Sequence, residues 1–201
     1  MTADEILSQA YSLHPIELVC TAVIEPVLVQ LGRAWASGEI AISTEHFASN
    51  YLRRKLIALI THGPATRPGL IAIGCAPTDL HEMGILLMSI FLRRRGYHVV
   101  YLGQAVPLED LPVSIPGIKP DVLVLAATVR ESAELLKPIQ SFLDQVAPDQ
   151  RPVFAFGGPA FNDYPELRAE VPGVFLGDTV QAGMATIESL MQETVKVTGR
   201  R

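Results

Sequence analysis

An imidazole and a carboxylate lie two residues apart in the segment Asp79-Leu80-His81-Glu82-Met83-Gly84. A histidine that binds a metal commonly donates its second ring N–H to a carboxylate, which fixes the tautomer and raises the basicity of the other nitrogen. Asp79 is a candidate for that partner of His81. Gly84 has no side chain to obstruct a large ligand over the start of the following helix. A metal-binding histidine is one interpretation of this segment, and ordinary polar surface is the alternative.

Glycines follow two of the later strand-like runs. In Phe156-Gly157-Gly158-Pro159, paired glycines allow a ligand to approach the backbone closely. Gly177-Asp178 repeats the pattern after the last run. An ordinary strand-to-helix turn uses glycine in the same way, so these glycines gain functional meaning only from their position in the fold.

From residue 70 onward, five short apolar runs alternate with helical patterns. This alternation predicts βαβ units and a parallel sheet, and continuous apolar strands are typical of a sheet covered by helices on both faces. In such sheets a ligand binds beyond the carboxyl ends of the strands, where the His81 segment and the Gly157-Gly158 turn both lie. The predicted strands span residues 70–75, 99–102, 122–127, 153–156 and 174–176, and the predicted helices span residues 81–95, 108–115, 131–146, 160–170 and 180–194.

The residues before this alternation carry helical patterns and no strand signal. Thr2 opens a capping box for a first helix. A second helical stretch covers residues 16–37, where Pro26 breaks or kinks it into two segments. Ser43 is predicted to cap a third stretch that ends near His62. Its apolar positions recur at helical spacing and are Phe47, Tyr51, Leu52, Leu56, Ile57 and Ile60.

Residues 63–68 contain two prolines and a glycine, which makes them the best domain boundary. We therefore predict an α/β protein of two domains, a helical bundle over residues 1–63 and a Rossmann-like domain over residues 69–201. Counting the segments around Pro26 separately, the first domain is a four-helix bundle. The second is a flavodoxin-like sheet of five parallel strands.

Composition excludes several classes of protein. Of 201 residues, 49% are hydrophobic and 18% charged, which supplies a core and argues against disorder. The net charge of −5 argues against direct nucleic-acid binding, and the cluster Arg93-Arg94-Arg95 complements the end of a predicted helix. No apolar run approaches the roughly 20 residues that span a bilayer. The acidic N-terminus is unlike a secretory signal, and Cys20 and Cys75 are typical of reduced, buried thiols in a cytoplasmic protein.

Taken together, Asp79-x-His81-x-x-Gly84 and Gly157-Gly158 resemble the signature of the cobalamin-binding domain family, which is Asp-x-His-x-x-Gly, then Ser-x-Leu, then Gly-Gly. The resemblance implies that His81 displaces the cofactor's dimethylbenzimidazole and becomes the lower cobalt ligand, with Asp79 as its hydrogen-bond partner. It also implies that Gly84, Gly157 and Gly158 make room for the displaced nucleotide tail. Ala126-Ala127-Thr128 stands where Ser-x-Leu is expected, which leaves the Thr128 hydroxyl as the candidate contact with that tail.

Trp35 is separated by nine residues from Glu45-His46, and this spacing is similar to the Trp-x9-Glu-His motif of the light-sensing cobalamin regulators, which are often fused to MerR-type DNA-binding domains. An indole packs well against an adenine-like group, and Glu and His can hydrogen-bond sugar hydroxyls. Each residue alone has a simpler interpretation, a core Trp and a first-turn charge. The resemblance implies a bundle that caps the upper cobalamin face around an adenosyl group.

The resemblance is incomplete at Ala36. Well-known members have a histidine directly after the Trp, and it takes the upper cobalt position once light expels the adenosyl group. Here His46 or solvent is one alternative for that position, and a different photochemistry is the other.

Two functions follow from the resemblance. One is a sensory module that binds adenosylcobalamin, catalyses nothing, and signals through self-association, a protein partner or a further domain. The other is a corrinoid methyl carrier that serves methyltransferase partners and binds methylcobalamin. A subunit of an adenosylcobalamin mutase is a remote third, because such enzymes need a substrate-binding barrel.

Overall fold

The computed structural model describes residues 2–60 and 65–198. The chain divides into two compact units, residues 1–61 and residues 62–201, here called the helical unit and the sheet unit. Helices make up the first, and the second contains five parallel strands with intervening helices. The predicted fold class, α/β with N-terminal helices and a five-stranded parallel sheet, is confirmed.

The helical unit begins at a capping box. Thr2 Oγ1 accepts a hydrogen bond from the Glu5 N–H at 3.3 Å, and Glu5 Oε2 accepts one from the Thr2 N–H at 2.7 Å. The reciprocal pair satisfies two amides that a helix start leaves without intrahelical partners. The helices that follow are α1 (Ala3–Leu13), α2 (Ile16–Val19), a π-helical turn (Cys20–Ile24), α3 (Glu25–Ala36) and α4 (Ile42–Ile60).

Pro26 changes the helical type without ending the helix. It lies in the first turn of α3, directly after the π-helical turn, and the residues at both junctions have right-handed helical angles. A proline ring clashes with the carbonyl four residues earlier in an α-helix, and the wider π turn relieves that conflict. The two segments predicted around Pro26 are therefore continuous with each other.

Two details of α4 differ from the sequence expectation, and a third is not tested. The predicted cap at Ser43 is wrong, because α4 begins at Ile42 and the first-turn amides of Thr44 and Glu45 donate to the Ala41 carbonyl. The predicted end near His62 lies outside the described residues. Phe47 is 74% exposed although it follows the apolar spacing that buries Leu56.

The sheet unit has the strand order β2-β1-β3-β4-β5, with every pair parallel. All five predicted strands are present. This is the flavodoxin-like order, in which the connections leave β1 and β3 toward opposite edges of the sheet. The strands are β1 (Leu70–Cys75), β2 (His98–Gly103), β3 (Val122–Ala126), β4 (Val153–Gly157) and β5 (Val174–Phe175).

Prolines divide two helices that the pattern predicts as continuous. The stretch 131–146 forms α7 and α8 on either side of Pro138, and 160–170 forms α9 and α10 around Pro165, because proline lacks the N–H that a helix interior needs. The helices of the sheet unit are α5 (Met83–Arg94), α6 (Leu111–Ile118), α7 (Arg130–Glu134), α8 (Ile139–Leu143), α9 (Pro159–Asp163), α10 (Leu167–Glu170) and α11 (Val180–Thr198), with 3-10 turns at Leu108–Asp110 and Pro148–Gln150.

The strand order places the expected ligand-binding crevice at the loops after β1 and β3. In a doubly wound sheet a crevice forms beyond the carboxyl ends of the two strands at which the winding reverses. Here those strands are β1 and β3, which are adjacent in register from Ile71–Val122 to Cys75–Ala126. Among the described residues, no helix is both long enough and apolar enough to cross a membrane.

Candidate functional site

Residues 76–82, here called the His81 loop, connect β1 to α5. The helix begins at Met83, so the prediction that it includes His81 is wrong by two residues. Thr78 has a φ of +63°, an uncommon angle for a β-branched residue, and its hydroxyl lies 3.3 Å from that of buried Ser132. The loop thus makes a sharp turn just before Asp79.

Asp79 is buried, with 1% exposure, and it is the hydrogen-bond centre of the loop. Its Oδ1 accepts from the His81 N–H at 2.9 Å and lies 2.9 Å from His81 Nδ1. Its Oδ2 accepts from the Thr128 N–H in the loop after β3. A carboxylate so held favours the His81 tautomer that carries its proton on Nδ1, which leaves the Nε2 lone pair available to a metal.

The His81 ring itself is accessible. Its side chain is 63% exposed, and that of the preceding Leu80 is also mostly exposed. A Cβ added at Gly84, in the first turn of α5, would meet no atom within 4 Å. These features leave open space over the helix start and fit a large ligand whose metal takes one nitrogen from the protein.

Thr128 contributes to the site through its backbone and not through its side chain. Its backbone N–H, not its hydroxyl, donates to Asp79. The loop after β3 therefore holds the carboxylate partner of His81. The contact does not depend on the residue type at position 128.

The paired glycines have a reason within the fold. Gly158 has a φ of +108°, and a Cβ there would lie 2.3 Å from the Ala127 carbonyl oxygen. A Cβ at Gly157 would lie 3.3 Å from Leu176. The chain after β4 thus passes close to the end of β3, and this close approach requires glycine at position 158. A further role beside a nucleotide tail stays a prediction.

In the helical unit, Trp35 lies in the last turn of α3 and is 49% exposed, so it is not a core residue. Glu45 and His46 lie in the first turns of α4, and His46 Nδ1 is 2.7 Å from Glu45 Oε2. The Ser49 hydroxyl donates to Glu45 Oε1 at 2.5 Å. Sequence reasoning missed Ser49, although its spacing of four residues from Glu45 on a helix was the available signal.

Sequence reasoning also missed the hydrogen bonds that three residues in or after β2 make to the His81 loop. The Ala105 N–H donates to the Asp79 carbonyl at 3.0 Å, and Gln104 Nε2 donates to the Leu80 carbonyl at 2.7 Å. The Tyr101 hydroxyl donates to Glu82, whose side chain is buried. No spacing in the sequence shows that the chain after β2 binds the chain after β1.

Both carboxylates of the loop affect the pKa of Cys75, the last residue of β1. Burial, and then the negative charges of Asp79 and Glu82, raise the pKa of its thiol to about 12. The thiol therefore stays protonated at neutral pH and is not a thiolate ligand or nucleophile.

A flavodoxin-like sheet with an exposed, carboxylate-supported histidine after β1, preceded by a helical unit, defines a cobalamin-binding protein. Residues 69–186 match the family described as B12 binding domain, and residues 2–60 match a second family of the same description. The chain belongs to the B12 binding domain family, and cobalamin is its cofactor.

The relatives include a transcriptional repressor and a corrinoid protein. The HTH-type transcriptional repressor CarH of Myxococcus xanthus is 33% identical over 175 residues, which is 87% of this chain and 57% of the repressor. The trimethylamine corrinoid protein of Methanosarcina barkeri is 25% identical over 191 residues, 89% of this chain and 86% of that protein. This chain thus spans little more than half the length of the repressor.

The solved structure of the Methanosarcina barkeri monomethylamine corrinoid protein superposes with a TM-score of 0.72 at 20% identity. The match covers 92% of this chain and 89% of that one. At this identity the likeness shows that the two proteins share a fold.

Proposed function

We propose that this chain is an adenosylcobalamin-dependent regulatory module that senses light. The observation that carries the proposal is the set Trp35, Glu45 and His46 at the start of a chain related to a transcriptional repressor. A methyl carrier has no need of groups that bind a ribose, whereas an adenosyl group offers sugar hydroxyls to Glu45 and His46.

His81 is the lower ligand in this proposal, through Nε2. Asp79 fixes the ring by accepting from Nδ1, and the Thr128 N–H keeps Asp79 in place. Gly84, Gly157 and Gly158 would make room for the nucleotide tail. Bound adenosylcobalamin supplies a cobalt–carbon bond that light can break.

Trp35 supplies a half-exposed indole for the adenine, and Glu45 and His46 supply hydrogen bonds to the ribose. Each Glu45 oxygen already accepts one hydrogen bond, from Ser49 or His46, and retains capacity for another. Hydrogen bonds within α4 therefore already hold the Glu45 and His46 side chains together.

The response is a shift between two packings of the protein, without turnover. The acidic balance of the chain argues against contact with DNA by this chain itself. Output therefore passes through self-association, a protein partner or a further domain.

The second candidate is a corrinoid methyl carrier. Similarity to the trimethylamine corrinoid protein over 86% of that protein's length favours it. The lower-face residues serve this function equally well, so the His81 loop does not separate the two candidates.

Loading the protein separately with adenosylcobalamin and methylcobalamin separates them. Absorption spectra and gel filtration are recorded in darkness and after green light. We expect preference for adenosylcobalamin and a light-dependent change in elution volume. Tight methylcobalamin binding that is indifferent to light contradicts the sensor and supports the carrier.

A further inference from the structure

We propose that Glu82 and Tyr101 form a positioning pair that holds the His81 loop on its β2 side. The proposal rests on the role of His81 as lower ligand and concerns what keeps that ligand in place. Neither the signature residues nor the glycine turns include this pair.

In the His81 loop, two exposed residues lie between two buried carboxylates. Asp79 and Glu82 are 1% and 2% exposed, whereas Leu80 and the His81 side chain between them are 64% and 63% exposed. Two buried carboxylates therefore flank the residues that a ligand would contact. Each carboxylate can fix one end of this exposed pair.

The two carboxylates bind different neighbours of β1. Asp79 accepts from the Thr128 N–H after β3, and Glu82 accepts from the Tyr101 hydroxyl in β2. Because β1 lies between β2 and β3, these hydrogen bonds hold the loop from both sides. Gln104 reinforces the β2 side through the Leu80 carbonyl.

Helix stability alone does not account for the burial of Glu82. A carboxylate at an exposed helix start gains from the helix dipole without losing its hydration. Glu82 is the residue that precedes α5, yet its side chain makes no capping hydrogen bond. Its buried oxygen instead accepts from Tyr101, and buried polar pairs of this kind can fix one geometry at some cost in stability.

The test compares two Tyr→Phe variants of the full chain. Tyr101→Phe removes the hydroxyl that binds Glu82, and Tyr97→Phe removes one that binds Arg67 just before the other end of β2. The probe is cob(II)alamin bound to protein containing histidine labelled with the heavy nitrogen isotope. The nitrogen splitting in its electron paramagnetic resonance spectrum reports the lower ligand directly.

We expect Tyr101→Phe to weaken cob(II)alamin binding about tenfold, the factor that loss of one hydrogen bond to a charged group gives. A population without the histidine splitting should appear in its spectrum. Tyr97→Phe should match the wild type in both measurements. The melting temperatures of both variants are also measured without cobalamin. If the two variants lose the same stability, a change in the spectrum of Tyr101→Phe alone has another cause.

Glu82→Gln keeps an acceptor for Tyr101 and should retain more binding than Glu82→Ala. Loss of the splitting in His81→Ala together with a wild-type spectrum and affinity in Tyr101→Phe overturns the positioning pair alone. Retention of the splitting in His81→Ala overturns the lower-ligand role and the pair with it. The light experiment is independent of both outcomes.

Discussion

Two histidines, one in each unit, pair with a neighbouring carboxylate through Nδ1, but their carboxylates are held differently. His81 and His46 have similar exposure, 63% and 67%, and similar distances to Asp79 and Glu45, 2.9 and 2.7 Å. The Asp79 side chain is fully buried and also accepts two backbone amides, His81's own and Thr128's. The Glu45 side chain is 19% exposed, and its other oxygen accepts a hydrogen bond from the Ser49 hydroxyl of the same helix.

The difference separates a site that is fixed by the fold from one that is only arranged locally. Moving Asp79 would break contacts between the loops after β1 and β3, so the fold determines where the His81 ring lies. Glu45, His46 and Ser49 lie within five consecutive residues of α4, so the hydrogen bonds among them are local to that helix. We therefore expect the sheet unit to determine whether cobalamin binds and the helical unit to determine which upper group is preferred.

The largest contrast between the two units is expected when each histidine is replaced by alanine. His81→Ala should abolish the histidine nitrogen splitting of bound cob(II)alamin, because the ring that Asp79 orients is removed. His46→Ala should leave that splitting unchanged. Equal spectra for the two variants would contradict the proposal that the lower ligand comes from the sheet unit.

The carboxylates give the next largest contrast. Asp79→Asn should weaken cobalamin binding about 10- to 100-fold, the usual range for loss of a carboxylate behind a metal-binding histidine. It should also lower the free energy of unfolding by about 2 kcal/mol in urea titrations without cofactor, since buried donors lose their charged acceptor. Glu45→Gln should lower it by less than Asp79→Asn does, because the Glu45 side chain keeps 19% exposure to solvent and glutamine retains an acceptor oxygen.

Selectivity for the upper group should respond only in the helical unit. Trp35→Ala should reduce the preference for adenosylcobalamin over methylcobalamin about tenfold, because stacking on an aromatic ring contributes about 1–3 kcal/mol per base. Trp35→Phe should retain part of the preference. Competition binding of the two cobalamins measures this ratio, and an unchanged ratio in Trp35→Ala would remove the main support for the adenosyl pocket.

Sequence reasoning located the residues that act through a pattern and missed those that act through tertiary contact. The five strands follow from apolar runs, which are local, and the short spacing to His81 made Asp79 a candidate partner that the structure confirms. Glu82 and Tyr101 come together only because β2 lies beside β1, and neither residue type indicates its partner. The sequence points to the hydroxyl of Thr128, yet its backbone amide makes the contact with Asp79.

The smallest effect tests whether a glycine serves the ligand or the fold. Gly84 and Gly32 both lie in helices, and a Cβ at either would meet no atom within 4 Å. Alanine favours helix over glycine by up to about 1 kcal/mol, so both Gly→Ala variants should melt at equal or higher temperature than the wild type without cofactor. Only Gly84→Ala should bind cobalamin more weakly, because its methyl group enters the space left for the nucleotide tail. A Gly84→Ala protein that is more stable and binds as tightly as Gly32→Ala would show that Gly84 makes no room for the ligand.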